Sequence, residues 1–251
     1  MRPTVISTAQ LAAYSPANHT GTSNVRVIGP ETVGATALEV LVGTIARSHG
    51  AKPHAHPFLE QCAYMLEGTG ESQAQGRTDA IPQGSWGYVP AGVFHTFRVT
   101  SDEPGRVLVV YTPPYGENPA QTITVPDAAV AEAGDVRVLA TPAAGGTALV
   151  PLIDAHTAGA RWVEVDAMDL AAGESLTCAA RADAEQVLFL EDGQLLARAD
   201  GTDLKLAAGD FLFLPRGVSA QLRCAERQRA SGFLIKGLIP HFPTPPSKDT
   251  P

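Results

Sequence analysis

Apolar residues in this chain fall in short runs, each closed by glycine or proline before it reaches helical length. Residues 38–45 (LEVLVGTI), 62–66 (CAYML), 86–89 (WGYV), 96–99 (TFRV) and 107–111 (VLVVY) are rich in β-branched or aromatic side chains. Such runs suit a pleated, partly buried surface and predict strands. The second half repeats the pattern at 187–190 (VLFL), 204–206 (LKL), 211–214 (FLFL) and 232–235 (GFLI). The chain's 24 glycines and 20 prolines are scattered between the runs, which predicts an all-β protein with frequent turns.

The two halves correspond at a constant offset of 125 residues: Gln61 with Gln186, Gly68 with Gly193, Gly84 with Gly209, Pro90 with Pro215 and Gly92 with Gly217. Self-similarity over so long a period indicates two whole domains in tandem, each with its own core, and not a solenoid. The expected organisation is an arm (1–24), a first domain (25–113), an alanine-rich linker (114–147), a second domain (148–238) and a tail (239–251). Within the linker a short helix or edge strand is expected around 136–138. The tail is too rich in proline to pack as strand or helix and is expected to be disordered.

One cluster carries chemistry. His54-Ala-His56 is followed by Glu60 and Gln61, and His95 lies three residues beyond Gly92. Three imidazoles and one amide or carboxylate, on strands that pairing can bring together, make a ligand set for a divalent metal. The second half lacks it: Ala220 stands at the His95 position, and 177–181 (TCAAR) holds no histidine. The other histidines, His19, His49, His156 and His241, lie outside these motifs and read as surface or hydrogen-bonded side chains.

Composition narrows the partners. A formal charge of -8 with no stripe of Lys or Arg offers no electrostatic footprint for nucleic acid or an anionic membrane. Small molecules are the expected partners. Three widely spaced cysteines, Cys62, Cys178 and Cys224, form no disulfide framework and fit a reducing cytoplasm. The N-terminal residues lack the apolar core of a signal peptide, and no apolar run of about 18 residues exists to span a bilayer.

These motifs resemble the two signatures of the cupin superfamily, G(x)5HxH(x)3-4E(x)6G and G(x)5PxG(x)2H. The second is matched at every defined position, from Gly84 through Pro90 and Gly92 to His95. In the first, three residues separate Gly50 from His54 instead of five. The resemblance covers both halves and implies a bicupin: two tandem antiparallel jelly-roll barrels, with a metal in the mouth of the first and a degenerate second. It also implies dimerisation through barrel edges.

The fourth ligand is open between neighbours. Gln61 leaves the expected six residues before Gly68, whereas Glu60 leaves seven, and strand alternation lets only one of the two enter the barrel. The spacing favours Gln61. Glu60 remains the alternative, or a partner for an imidazole N–H. With Gln61 the ligands are all neutral, so the ion keeps its full charge and its attraction for an anionic substrate. The expected metal ligands are therefore His54, His56, Gln61 and His95, and the ion is one of Fe, Mn, Ni, Zn or Co. Phe58, Met65, Trp86, Tyr88 and Phe97 are the pocket candidates, with Phe97 inward and Arg98 outward. Cys62 is expected in the core, facing away from the metal.

The function expected from the resemblance is that of a metal-dependent enzyme acting on a small oxygen-rich metabolite. Oxygenase chemistry ranks slightly ahead of hydrolase, lyase or isomerase chemistry of the ureidoglycine or uronate type. A non-catalytic small-ligand binding module is the reading from a different class.

Overall fold

The computed structural model describes residues 1–74, 76–124, 136–141 and 148–239. The expected tail and most of the linker between 125 and 147 lie outside the described residues. The first half builds β1 (Thr4–Ile6), β2 (Ala13–Tyr14), β3 (His19–Ile28), β4 (Glu39–Ala55) and β5 (Glu60–Glu67). It continues through β6 (Gly70–Ala74), β7 (Arg77–Ile81), β8 (Ser85–Val89), β9 (His95–Val99) and β10 (Gly105–Thr112). Two short strands follow, β11 (Ile123–Thr124) and β12 (Arg137–Ala140). The second half contributes β13 (Leu149–Ile153), β14 (Val163–Leu170), β15 (Ser175–Cys178), β16 (Ala184–Asp192) and β17 (Gln194–Ala199). It ends with β18 (Thr202–Ala207), β19 (Phe211–Leu214), β20 (Ala220–Cys224) and β21 (Ala230–Leu238). The only helical elements among the described residues are two single 3-10 turns, as the strand-length apolar runs predict.

Strand order shows the duplication directly. The first half pairs β8-β5-β10-β4-β3, the second β19-β16-β21-β14-β13, and the opposing layers run β4-β9-β6-β7 and β15-β20-β17-β18. All these pairings are antiparallel, in the double-sheet arrangement of a jelly roll. The one difference is that β4 runs unbroken for 17 residues through both layers, where the second half uses separate strands, β14 and β15. At the crossing, a Cβ on Gly50 would sit 2.0 Å from the Phe97 carbonyl oxygen. Glycine is therefore required where β4 meets β9.

The facing sheets of the two barrels are apolar on both sides, because each is covered on both sides. Cys62, Tyr64, Trp86, Tyr88, Leu108 and Val110 turn outward from the first barrel and meet Val187, Phe189, Phe211, Phe213, Phe233 and Ile235 of the second in one buried cluster. The largest core thus lies between the domains, not within either, a finding that separate cores would not have suggested. Segments read as arm and linker also join the sheets: β1 pairs with β19 of the second barrel, β11 with β4, and β12 with β8. The edge strand expected near 136–138 is β12.

Candidate functional site

Pairing brings the motif residues to one end of the first barrel. His54 near the end of β4 stands opposite His95 at the start of β9, and Gln61 stands opposite Val89 and Tyr111. His56 follows β4, and its carbonyl accepts the Gly92 N–H at 2.8 Å. Gly92 adopts φ +80°, a left-handed conformation that glycine takes without steric cost. The same bond recurs at 2.8 Å from Gly217 to Arg181, so this turn ties the two motifs together in both halves.

The three imidazoles are almost fully buried, with exposures of 2% (His54), 5% (His56) and 3% (His95). Their ring centroids lie 4.8 Å (His54–His56), 4.4 Å (His54–His95) and 6.2 Å (His56–His95) apart. Each Nδ1 points at a backbone carbonyl: His54 at Lys52 (2.7 Å), His56 at Gln121 (2.9 Å) and His95 at Val93 (3.0 Å). A carbonyl only accepts, so Nδ1 carries the proton and Nε2 presents a lone pair. Burial keeps the rings neutral: it is the main cause that depresses the His54 pKa to about 2, with His95 and His56 adding repulsion. Burial likewise lowers His95 to about 4 and depresses His56.

Among the described residues, His56 Nε2, His95 Nε2 and Gln61 Oε1 are buried without a hydrogen-bond partner. Each such atom costs about 1–3 kcal/mol unless something fills it. These three atoms are acceptors, which either a cation or a water molecule can satisfy. Among the described residues, no group of three or more His, Cys, Asp or Glu side chains is arranged so that it could hold a metal ion. The donor chemistry nevertheless fits a divalent transition ion, because neutral imidazole nitrogens and an amide oxygen are suitable ligands with fixed tautomers.

Glu60 has a different task from either role considered for it. Its carboxylate accepts from Tyr88 Oη (3.0 Å), Arg161 N (2.9 Å) and Trp162 N (2.9 Å), so it faces the second barrel while adjacent Gln61 faces the cavity. The imidazole N–H groups are held by carbonyls, not by Glu60. Met65 and Phe97 line the cavity beside Gln61 and His95. Trp86 and Tyr88 do not: on β8 the inward positions are Gly87 and Val89, and both aromatics belong to the inter-barrel core. Phe58 is 59% exposed in its loop and does not line the cavity. Cys62 is fully buried on the far face, where burial and then Glu60 push its thiol pKa well up.

Sequence reasoning missed several cavity residues, and three of them stand beside the histidines. His19 borders both the Gln61–His95 cavity and the smaller one lined by His54 and His56, with its ring 5.9 Å from His54. Asn24 also borders both, and the Tyr115 ring lies 4.9 Å from His56. Only the β3–β4 pairing brings His19 and Asn24 here, and no local signal announces it.

The second barrel is filled. Leu188, Leu190, Leu212, Leu214, Leu222 and Leu234 pack its interior with Cys178 and Ala220. Cys178 stands opposite Ala220, where the first barrel pairs His54 with His95. Gln186 donates to the Ala179 carbonyl at 2.9 Å, and Arg181 is already paired with Asp183 and Glu164.

Residues 41–111 match the cupin domain family model. The protein named polyketide synthase CurC from Streptomyces cyaneus is 27% identical over 113 residues, 45% of this chain and 71% of that protein. An uncharacterized protein from Aquifex aeolicus is 32% identical over 63 residues, covering 25% of this chain and about half (51%) of its own length. Among solved structures, protein Ylba from E. coli superposes with a TM-score of 0.72 at 15% identity, covering 94% of this chain and 90% of its own. AerE from Microcystis aeruginosa gives 0.65 at 16% identity over 93% and 99%. Oxalate decarboxylase from Bacillus subtilis gives 0.67 at 12% over 94% and 75%. Residues 41–111 thus match a cupin domain, and the fold, in which both halves share one jelly-roll strand order, is that of two tandem cupin-type barrels.

Proposed function

We propose that the chain is a metal-dependent enzyme acting on a small molecule, with one divalent transition ion held in the first barrel by His54, His56, His95 and Gln61. The observation that carries this reading is the buried set of acceptors with Nδ1 directed at a carbonyl in each imidazole, which leaves His56 Nε2, His95 Nε2 and the Gln61 oxygen without a partner among the described residues. Bound there, the ion would supply Lewis acidity or an open position for dioxygen. The chain's own residues supply the rest. The carbonyls of Lys52, Gln121 and Val93 orient the rings, burial keeps them unprotonated, and the apolar walls exclude water. A small-molecule enzyme accords with the names of the oxalate decarboxylase and polyketide synthase proteins that the chain resembles.

Oxygenase chemistry remains the first reading of the reaction, with non-redox hydrolase, lyase or isomerase chemistry as the alternative. Elemental analysis of protein purified without chelators should find about one ion per chain, lost in His54→Ala and His95→Ala; stoichiometric metal in both variants would sink the assignment. Dioxygen uptake across a substrate panel separates the reaction classes, and ligand binding without turnover in every metal form identifies a binding module.

A further inference from the structure

Outside the histidine cavity, where β3, β4, β6 and β9 cross, lies a separate groove of about 370 Å³ bordered by Ser48, His49, Lys52, Glu71 and Arg98. β4 builds it by leaving its pairing with β3. Thr20 stands opposite Gly50 and Thr22 opposite Ile45, so residues 46–49 loop out across from Gly21. The His49 ring lies against Gly21, where a Cβ would come within 2.5 Å of its Cγ. Glycine at 21 therefore leaves the room that the imidazole occupies. Ser48 adopts φ +62°, a left-handed conformation that is sterically disfavoured for any residue with a Cβ. Its counterpart 125 residues on is Gly173, at φ +75° with nothing within 4 Å of a Cβ. The second half makes the same bend with glycine, and the first accepts strain to keep a hydroxyl there.

The charges differ between the halves as well. Glu174 and Thr177 stand where the first half has His49 and Lys52. Arg98 is paired with Glu71 at 2.6 Å, whereas the Lys52 ammonium and the hydroxyls of Thr20 and Ser48 have no hydrogen-bond or ion-pair partner among the described residues. We propose that this groove is a binding site for a phosphate-class oxyanion, either free phosphate or the phosphate group of a small metabolite, centred on Lys52, Ser48 and His49. Lys52 supplies a charge that no carboxylate cancels, on a chain whose net charge is -8. The two hydroxyls, the imidazole and the Arg98 N–H groups that Glu71 leaves unused donate to separate oxygens. A phosphate group offers three acceptor oxygens and a charge of about -1.5 to -2 at pH 7, which suits dispersed donors better than a carboxylate does. The site does not depend on the metal proposed for the first barrel. It shares only a wall with that cavity, through Ala51, Thr96 and Phe97.

Calorimetric titration of the full chain with inorganic phosphate, glycerol 3-phosphate and acetate at constant ionic strength tests this, on protein as purified and after chelator treatment. The expected result is saturable binding of phosphate or its monoester in the millimolar range or tighter, weakened at least about tenfold in Lys52→Gln and unchanged in Lys205→Gln, a lysine on β18 of the other barrel. Ser48→Gly should weaken binding several-fold while raising the urea midpoint, because glycine relieves the left-handed strain; weaker binding therefore cannot be laid to misfolding. Tighter binding of glycerol 3-phosphate supports a metabolite as the source, and tighter binding of inorganic phosphate supports the free ion. No saturation by about 10 mM, a Kd above about that value, overturns the site. Equal weakening by Lys205→Gln, binding indifferent to Lys52→Gln and Ser48→Gly, or binding abolished by the chelator also overturns it. Acetate bound as tightly as phosphate overturns the phosphate class.

Discussion

Glu60 and Gln61 are neighbours in the chain and face opposite ways, Glu60 toward the second barrel and Gln61 toward the cavity. Gln61→Ala should weaken metal binding at least about tenfold, whereas Glu60→Gln should leave metal content unchanged; competition with a chromogenic chelator reads both. The pH response also belongs to single residues. His54, His56 and His95 have folded pKa values below that of a free imidazole, so in the metal-free protein the unfolded chain binds protons that the folded chain refuses. Stability is then full above about pH 6.5 and falls as the pH drops toward 4, by up to about 1.4 kcal/mol per pH unit for each histidine. Urea unfolding of chelator-treated protein from pH 7 to 4 measures the slope, and a flat profile would contradict buried neutral imidazoles. The motif histidines were legible because their spacing is local to two strands. His19 was not, because it enters the site only through a partner strand.

At the scale of elements, the offset of 125 residues reappears as a reciprocal clasp. Glu60 at the start of β5 accepts the backbone N–H groups of Arg161 and Trp162, and Glu185 in β16 accepts those of Thr36 and Ala37 at 2.9 Å each. Each carboxylate, and each pair of N–H groups, lies 125 residues from its counterpart, so each barrel fastens the segment that leads into the other's long strand. Removing either carboxylate leaves two backbone donors at the barrel junction without their partner. Glu60→Ala and Glu185→Ala should each lower the unfolding free energy by about 2–4 kcal/mol, seen as a lower urea midpoint, with metal stoichiometry unchanged. Loss of metal in Glu60→Ala at full stability would restore it as a ligand candidate. The strands themselves were legible from their apolar runs; β1, β11 and β12 were harder, since edge strands of two to four residues carry little pattern of their own.

In the whole molecule the two barrels have divided the work. The first keeps a cavity and its acceptors, while the second has replaced them with leucine and turned its other face into the shared core. One prediction is stoichiometric: metal loading should saturate at about one ion per chain, because Cys178, Ala220 and a paired Arg181 offer no second site. The other concerns autonomy. A chain ending before residue 148 would expose Tyr64, Trp86, Tyr88, Leu108 and Val110, which the second barrel now covers, and a contiguous apolar face of that kind drives association. Light scattering should show it aggregating, whereas a soluble, metal-binding monomer would mean that the inter-barrel core is dispensable.

By itself the sequence determined the all-β class, the duplication, the one histidine cluster and its absence from the second half. All of these are recorded in periodicity and spacing, which strand geometry reads locally. The tertiary structure alone decided which of two adjacent residues faces the cavity, and that Trp86 and Tyr88 serve the interface and not the pocket. The physical reason is that strands of the two facing sheets have two buried faces, whereas outer strands such as β17 and β20 alternate buried and exposed positions. In the facing sheets hydrophobicity no longer distinguishes inside from outside, and only the partner strand settles it.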